Sequence, residues 1–225
     1  VITGRMPVSS LGEEDVKAMA DLCVNCHQCR VECPASVDIP KIVQETKAQY
    51  VRANGLKLSE SLYTKLDRSS RWANRFHRLY NWSIRNRQMR WILEKFTGLA
   101  QGRKLPQIAS TSFLKWASRN HLNRSNRDPG NKVLYFVDIF ANWFDPDLAR
   151  CLVSIFKHHG ISVYVPGDQL WSSSSAIAEG DLEYAREVAR RNVTLLAEAV
   201  RQGYTIVTTE PTAAMCLTQE YPNLL

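Results

Sequence analysis

The first part of the fold is decided by one stretch, Cys23-Val24-Asn25-Cys26-His27-Gln28-Cys29-Arg30-Val31-Glu32-Cys33-Pro34. Its cysteines follow the spacing C-x2-C-x2-C-x3-C and are closed by a proline, which is typical of ligands to a 4Fe–4S cluster. Three cysteines separated by two residues on a tight loop can point their sulfurs at three irons of one cubane. The fourth cysteine lies one residue further along, and in proteins with two clusters it binds the other cluster. We therefore predict that iron is bound by Cys23, Cys26, Cys29 and Cys33.

Zinc binding is the main alternative for these thiols. A zinc knot usually pairs two C-x2-C units across a dozen or more residues, and the sequence has no second pair of this kind. Disulfides require an oxidising compartment, and thiols this close in sequence do not form unstrained bridges. Four unrelated buried cysteines at this spacing would be a coincidence. The pattern therefore favours an iron–sulfur cluster over each alternative.

The composition is that of an ordinary globular protein large enough for one large or two modest domains, at 225 residues. No run of 18 apolar residues is present to span a bilayer. No signal-peptide pattern opens the chain, and cluster-binding cysteines favour a reducing compartment. We expect a cytoplasmic protein, with peripheral contact at the inner face of the membrane as the alternative. Because the first residue is Val1, we also expect a piece of a longer polypeptide.

Positive charge is concentrated in the middle of the sequence. Between Lys65 and Lys104, eleven Lys and Arg residues face two acidic residues, a net charge of +9 against +7 for the whole chain. Tryptophans 72, 82 and 91 lie among these arginines. A solvated helix face is the default interpretation. Docking to an acidic partner domain and contact with an anionic membrane are alternatives. Nucleic-acid binding is not expected, because no recognition motif accompanies the charge.

Hydrophobic periodicity predicts a chain of class α and α/β, in three parts. Residues 1–56 form a helical module of ferredoxin type, residues 57–130 a basic helical region with a linker, and residues 131–225 a small parallel-sheet α/β domain. In the first two parts, apolar spacing, caps and glycines predict helices over residues 11–22, 39–55, 57–86 (one long helix or two joined ones), 89–96 and 113–117.

The third part alternates strands and helices. Strands are predicted over 133–140, 161–165 and 204–209, and the turn Asp128-Pro129-Gly130-Asn131 marks the boundary before them. Asp145-Pro146 reads as an N-cap with proline at the first helical position, and Gly160 ends that helix. Further helices are predicted from Asp181 to Gln202 and from Pro211. This order implies a parallel sheet with right-handed crossovers.

With both halves interpreted, the chain resembles the iron–sulfur region of flavin-linked oxidoreductases, in the family of the glycolate oxidase iron–sulfur subunit and the anaerobic glycerol-3-phosphate dehydrogenase C subunit. Heterodisulfide reductase cysteine-rich subunits are also similar. The resemblance covers nearly the whole chain. Its segments are Leu22 to Pro34, Val37-Asp38-Ile39-Pro40, Asn86-Arg87, Arg103 to Pro106, Asp145-Pro146-Asp147-Leu148, Gly180-Asp181-Leu182-Glu183 and Glu210-Pro211-Thr212-Ala213-Ala214.

The resemblance implies a flavin-containing partner, and it implies that the cysteines of one run bind two different clusters. Members of this family carry two cysteine runs, whereas this sequence has one, which places the other upstream of Val1. Cys23, Cys26 and Cys29 would then hold one 4Fe–4S cluster, and Cys33 would bind the second. FAD would lie in a partner domain or subunit, and a quinone or another carrier would accept the electrons.

The α/β part resembles the cysteine-rich module that binds a catalytic cluster in heterodisulfide reductases, but cysteines are missing at the matching positions. These positions hold Ile139, Trp171, Ser172 and Ala213. Serine hydroxyls are poor ligands for soft iron–sulfur sites. We interpret this part as a degenerate copy that acts as a scaffold or docking unit. The remaining thiols, Cys151 and Cys216, are predicted to be small buried hydrophobic residues.

The leading hypothesis is electron transfer, as the iron–sulfur part of a flavin-dependent dehydrogenase of 2-hydroxy acids or similar small alcohols. No catalytic residue is assigned, because neither a nucleophile–base pair nor a phosphate-binding glycine loop is present. The alternatives are a cysteine-rich heterodisulfide or thiol reductase, and a docking module with a structural cluster. His27, inside the cluster loop, is expected to tune hydrogen bonding and solvent access rather than to bind iron.

Overall fold

The structure is a computed structural model that describes residues 7–125 and 130–225. Residues 1–6, and Asp128-Pro129 of the predicted turn, lie outside these ranges. The chain forms two compact units. The first consists of Val1–Thr64 and Ser174–Ala185, and the second of Lys65–Ser173 and Arg186–Leu225. The three-part division made from the sequence stays a prediction.

The described elements confirm the α and α/β class, with many helices and one small parallel sheet. A 3₁₀ helix (Val8–Gly12) and two π-helical turns (Phe140–Phe144 and Cys216–Glu220) accompany the elements that follow. In chain order these are α1 (Glu14–Ala20), α2 (Gln28–Glu32), α3 (Ile39–Asn54), α4 (Leu58–Thr64), α5 (Leu66–Arg75), α6 (His77–Arg85), α7 (Arg87–Thr97), α8 (Phe113–Arg119), β1 (Lys132–Tyr135), α9 (Pro146–His158), β2 (Ser162–Tyr164), α10 (Ser174–Glu179), α11 (Leu182–Arg201), β3 (Thr205–Val207), α12 (Pro211–Met215) and α13 (Tyr221–Leu224).

Helix α3 is the longest helix within the first unit, and its start is as predicted. The Asp38 carboxylate accepts a hydrogen bond from Lys41 N at 3.1 Å, and Pro40 lies in the first turn, where its missing N–H costs nothing. Helix α10 packs on α3 and α4. The buried Lys47 donates to the Ala178 carbonyl at 2.9 Å, which ties α3 to α10.

Gly180 explains how the α10 segment approaches α3 so closely. Its φ is +84°, a left-handed conformation that glycine adopts without strain. A Cβ at this position would lie 2.6 Å from the backbone carbonyl carbon of Lys47. No other residue type can therefore occupy the position without moving the α3 backbone.

The long amphipathic segment predicted over 57–86 divides into α4, α5 and α6. The chain leaves helical geometry at Lys65, where φ is −110° and ψ is 39°, and at Phe76, where φ is −115° and ψ is 38°. The apolar period continues through both positions, so the sequence pattern does not reveal the breaks. Helix α7 begins at an Asn86 cap and ends at Gly98, close to the predicted ends.

The second unit is built on a parallel sheet of order β2-β1-β3 in the described part of the chain. Because β1 is central, its segment is buried on both faces. Tyr135 and Val137 join Phe113 and Val153 in the core on one face. Leu134 and Phe136 pack on the other face, in a core completed by Leu196, Ala199, Tyr204 and Ala213.

The strands are shorter than predicted, and β1 shows the physical reason. The predicted strand ran from Val133 to Phe140, whereas β1 ends at Tyr135 and a π-helical turn begins at Phe140. The buried Asp138 carboxylate accepts from its neighbour Ile139 N at 2.9 Å and from Ser172 N at 3.0 Å. A side chain, and not a neighbouring strand, therefore pairs these backbone N–H groups, so the apolar run continues after the sheet pairing has stopped.

Candidate functional site

The four predicted cluster ligands lie in a loop that runs from the end of α1 to the start of α3. Cys23 N bonds to the Ala20 carbonyl at 3.1 Å, which places this cysteine in the turn that ends α1. Cys29 lies on α2, and Cys33 is the C-terminal cap of that helix. The loop is short and locally bonded, so one segment carries all four sulfurs.

Two residues with a left-handed backbone conformation shape this loop. Asn25 and His27 have φ values of 55° and 59°, and Asn and His are among the non-glycine residues that tolerate this region. The Asn25 side chain accepts from Gln44 Nε2 at 2.9 Å, which ties the loop to α3. Backbone nests formed by such residues turn N–H groups towards anions, including iron–sulfur clusters.

The thiols fit the chemistry of an iron–sulfur cluster. All four are free, with Cys26 and Cys29 exposed and Cys23 and Cys33 half-buried. Cys33 Sγ also accepts a hydrogen bond from Val37 N at 3.4 Å. Hydrogen bonds to cluster sulfurs are one of the factors that set a cluster potential. The donor set therefore suits a 4Fe–4S cluster, with Cys33 already held by the protein.

No three His, Cys, Asp or Glu side chains within residues 7–125 and 130–225 converge closely enough to hold one metal ion. A 4Fe–4S cluster binds each thiolate to a different iron, so its ligands surround a cube rather than one point. The assignment of Cys23, Cys26, Cys29 and Cys33 as cluster ligands stays a prediction.

Large apolar side chains surround the cysteines and face solvent. Leu22, Val24 and Val31 are 83%, 79% and 78% exposed. Three such residues within ten positions form an apolar rim around the cysteine loop. Exposed apolar patches of this kind are typical of surfaces that contact another protein.

The positions matched to the missing cysteines are all buried in the second unit. Ile139 and Ser172 are brought together, because Asp138 Oδ1 accepts from both of their backbone N–H groups. The Ser172 hydroxyl donates to the other oxygen of the same carboxylate. Ala213 lies near Glu210, whose backbone carbonyl accepts from Ala213 N at 3.0 Å. A polar network therefore occupies this region at the carboxyl ends of the strands.

Two carboxyl groups missed by the sequence interpretation lie in this network, one after each of two neighbouring strands. Asp138 follows β1, and burial raises its pKa. Glu210 follows β3 and accepts from Ala141 N at 2.9 Å. Burial and then the charge of Asp138 raise the pKa of Glu210 to about 7. The sequence signals that could have identified them are that Asp138 is the one charged residue of the predicted strand 133–140 and that Glu210 comes directly after the predicted strand 204–209.

The two remaining cysteines have different outcomes. Cys216 is buried as predicted, and burial raises its pKa to about 12. The Ser172 side chain lies against this thiol, so its surroundings are polar as well as apolar. The prediction for Cys151 was wrong, because this thiol is exposed. Cys151 lies on the outer side of α9, where the neighbouring apolar residues had suggested burial.

The charged middle region forms three consecutive helices, α5 to α7, which we call the basic aromatic helices. Trp72, Trp82 and Trp91 on these helices are 63%, 53% and 54% exposed. Arg90 is different, because it is buried and donates to the carbonyls of Ala100 and Arg103 at 2.7 and 2.9 Å. The exposed cations of α5 to α7 are Arg68, Arg71, Arg75, Arg78, Arg85, Arg87 and Lys95.

No helix in the described residues combines the length and the hydropathy needed to cross a membrane. Comparison with known proteins places the chain among sequences similar to subunits of oxidoreductases. It is 26% identical over 193 residues to the C subunit of anaerobic glycerol-3-phosphate dehydrogenase from Escherichia coli strain K12, and to its counterpart from strain O157:H7. The aligned region is 85% of this chain and 48% of each relative, so the chain spans about half the length of these curated relatives.

A shorter match is to the B subunit of fumarate reductase (CoM/CoB) from Methanothermobacter marburgensis, at 28% identity over 98 residues, 43% of this chain and 19% of that protein. No family model matches the chain, and no solved structure gives a significant match. The similarity to the glycerol-3-phosphate dehydrogenase relatives confirms the resemblance seen in the sequence.

Proposed function

We propose that this protein transfers single electrons through a 4Fe–4S cluster held by Cys23, Cys26 and Cys29, with Cys33 as a ligand to a second cluster. The observation that carries the proposal is the set of four free thiols in one solvent-facing loop with ferredoxin spacing. The relatives are subunits of a dehydrogenase and of a reductase. A one-electron carrier is what a flavin-dependent dehydrogenase needs in order to pass on the electrons of a hydride.

Within this proposal, the chain positions the cluster and sets its surroundings. The Val37 N–H already bonds to Cys33 Sγ, and the bond from Gln44 to Asn25 holds the left-handed turn. The cluster supplies a one-electron couple when bound. Leu22, Val24 and Val31 form the apolar rim through which a partner would approach. The flavin and the substrate site, for a 2-hydroxy acid or similar small alcohol, belong to that partner.

Anaerobic reconstitution with iron and sulfide, followed by EPR of the dithionite-reduced protein, tests the proposal. We expect the signal of a reduced cubane. Cys26→Ser should abolish the signal, whereas Cys33→Ser should leave most of it if Cys33 serves the second cluster. Cys151→Ser is the matched control, because Cys151 is also exposed but lies outside the loop. A protein that takes up stoichiometric zinc and gives no EPR signal would contradict the proposal.

The basic aromatic helices are the proposed docking surface for an acidic partner domain or subunit. Their cations are exposed together with tryptophans, so electrostatic attraction and apolar contact are available on the same helices. Arg75→Glu with Arg78→Glu should weaken binding to the flavin-containing partner and reduce its salt dependence. The same exchange at the exposed Arg190, on α11, is the control. Binding that does not change with ionic strength would contradict electrostatic docking, and binding to vesicles of anionic lipid instead would assign the surface to a membrane.

A thiol reductase is the second candidate class that the sequence left open. It needs reactive thiols in the second unit, where Cys216 is buried with a raised pKa and Cys151 is a single exposed thiol. Activity that collapses on replacing Cys151 and Cys216 by serine, with the EPR signal unchanged, would favour this class over electron transfer.

A further inference from the structure

The second unit contains a cavity of about 180 Å³ that includes none of the cysteines. It lies beyond the carboxyl end of β1 and is lined by Asp138, Asn142 and Gln169, among other residues. An apolar cavity of about 150 Å³ is large enough for benzene. This cavity therefore has room for a molecule of about six non-hydrogen atoms.

The cavity lies at the carboxyl ends of two neighbouring strands, β1 and β2. Val137 and Asp138 follow β1, and Gly167 and Gln169 follow β2. Open parallel sheets bind their ligands outside the carboxyl ends of their strands.

Buried polar side chains line the cavity, and two of them have donors to spare. Asn142 is 4% exposed and accepts from Leu114 N through Oδ1 at 3.1 Å. Because only the amide oxygen can accept from a backbone N–H, this bond fixes the orientation of the amide. Asn142 lines the cavity, and its Nδ2 has no acceptor among the described residues. The Ser112 hydroxyl, 7% exposed, accepts from Lys115 N and likewise has no acceptor for its proton within the described ranges.

The other polar groups at the cavity are already paired. Both ends of the Gln169 amide are bonded, to Val137 N at 2.8 Å and to the Pro166 carbonyl at 2.9 Å. Asp67 accepts from Trp143 Nε1 at 3.0 Å and forms an ion pair with Arg71 at 2.9 Å. The free hydrogen-bonding capacity is therefore two donors, together with the spare lone pairs of two carboxylates.

The charged side chains around the cavity limit the kind of ligand that it can bind. Asp138 adds a negative charge beside the neutral pair of Asp67 and Arg71, and burial raises the pKa of Asp138, so the site already disfavours negative charge. An anionic ligand would add to this repulsion. An ammonium ion could donate hydrogen bonds to the carboxylates, but it has no acceptor for the Asn142 and Ser112 donors. A hydroxyl group can accept from these donors and donate to a carboxylate at the same time.

We propose that this cavity is a binding site for a small neutral polyol, whose hydroxyl oxygens accept from Asn142 Nδ2 and the Ser112 hydroxyl and whose hydroxyl protons are donated to Asp138. Burying unpaired donors costs stability, and a ligand that pairs them recovers that cost. The site is separate from the cysteine loop, so it does not depend on the proposed electron transfer.

Titration of the ¹⁵N-labelled protein with glycerol tests this proposal through the indole N–H signal of Trp143, which lines the cavity. Thermal shifts are unsuitable as the main readout, because polyols stabilise proteins generally by exclusion from their surface. We expect a saturable shift with glycerol, and weaker effects with glycolate and with 2-aminoethanol as the anionic and cationic probes. A shift that rises linearly without saturation, or tighter binding of either charged probe, would overturn the proposal.

Ser112→Ala is the sharpest variant, since it removes one of the two spare donors and adds no charge. We expect it to weaken glycerol binding about two- to tenfold, the effect of one hydrogen bond. Ser118→Ala makes the same change at an exposed position of α8 and should leave binding unchanged. If Ser112→Ala does not fold, Ser112→Gly removes the same donor, is better tolerated at a helix N-cap and carries the same expectation. Unchanged affinity in a folded variant would refute the proposed contacts.

Discussion

Replacing Glu210 by glutamine should remove a pH dependence that its burial imposes on the second unit. Burial, and then the charge of Asp138, raise the pKa of Glu210 from 4.5 to about 7. The folded protein therefore binds more protons than the unfolded chain between these values, and stability falls as the pH rises through this window. Below about pH 4.5 the carboxyl is protonated in both states, so the cost is absent there.

The size of the effect follows from the difference in pKa. At about 1.4 kcal/mol for each pH unit, the cost above pH 7 has an upper limit of about 3 kcal/mol. Glu210 is only partly shielded from solvent, so we expect about 1–2 kcal/mol. Glutamine keeps an oxygen for the bond from Ala141 N, so the variant removes the charge and retains the contact.

Urea unfolding at pH 5, 6, 7 and 8 measures this directly. Glu210→Gln should match the wild-type free energy of unfolding near pH 5 and exceed it by about 1–2 kcal/mol at pH 8. Glu187→Gln, on the exposed face of α11, should follow the wild-type curve at every pH. A variant that is less stable than the wild type at pH 8, or a constant difference from pH 5 to 8, would refute the reasoning.

Two further predictions concern single contacts. Gly180→Ala should lower the free energy of unfolding by more than about 3 kcal/mol, because strain at positive φ adds to the clash with the Lys47 backbone. Gly203→Ala, with the same φ of +84° and only the flexible end of a lysine at 3.6 Å, should lower it by about 1–2 kcal/mol. Equal losses in thermal unfolding would show that the close approach at Gly180 is unimportant. Arg90→Met should lower the free energy of unfolding by about 2 kcal/mol, because the carbonyls of Ala100 and Arg103 lose a charged donor. It should leave the salt dependence of partner binding unchanged. Arg87→Met, at an exposed position, should change stability by less than about 0.5 kcal/mol. A loss of stability in Arg87→Met as large as that in Arg90→Met would contradict the structural role of Arg90.

Features of the fold that depend on neighbouring residues could be predicted from the sequence. Caps and glycines bound α3, α7, α9 and α11 close to the expected positions, because a cap bonds to a backbone group only three residues away. The alternation of strands and helices predicted a parallel sheet, because a helix between two strands returns the chain so that both strands run in the same direction. The cysteine spacing is likewise local, and the four thiols lie in one loop as the pattern requires.

Features that depend on distant partners could not be predicted in this way. The apolar run after β1 could not show that Asp138 stops the pairing, because the reason is a bond to Ser172, 34 residues later. The membership of Ser174–Ala185 in the first unit rests on contacts with α3 and α4, more than a hundred residues earlier. The exposure of Cys151 depends on which side of α9 faces the sheet, and a mixed apolar pattern left that side undetermined.

Chemical analysis of iron and acid-labile sulfide in the anaerobically purified protein tests the central claim most directly. The account predicts iron and sulfide in equal amounts, near four of each per chain for an intact cubane. It also predicts that both fall sharply in Cys26→Ser and are unchanged in Cys151→Ser. A colourless protein that contains neither iron nor labile sulfide after reconstitution would contradict the claim that these thiols hold an electron-transfer cluster.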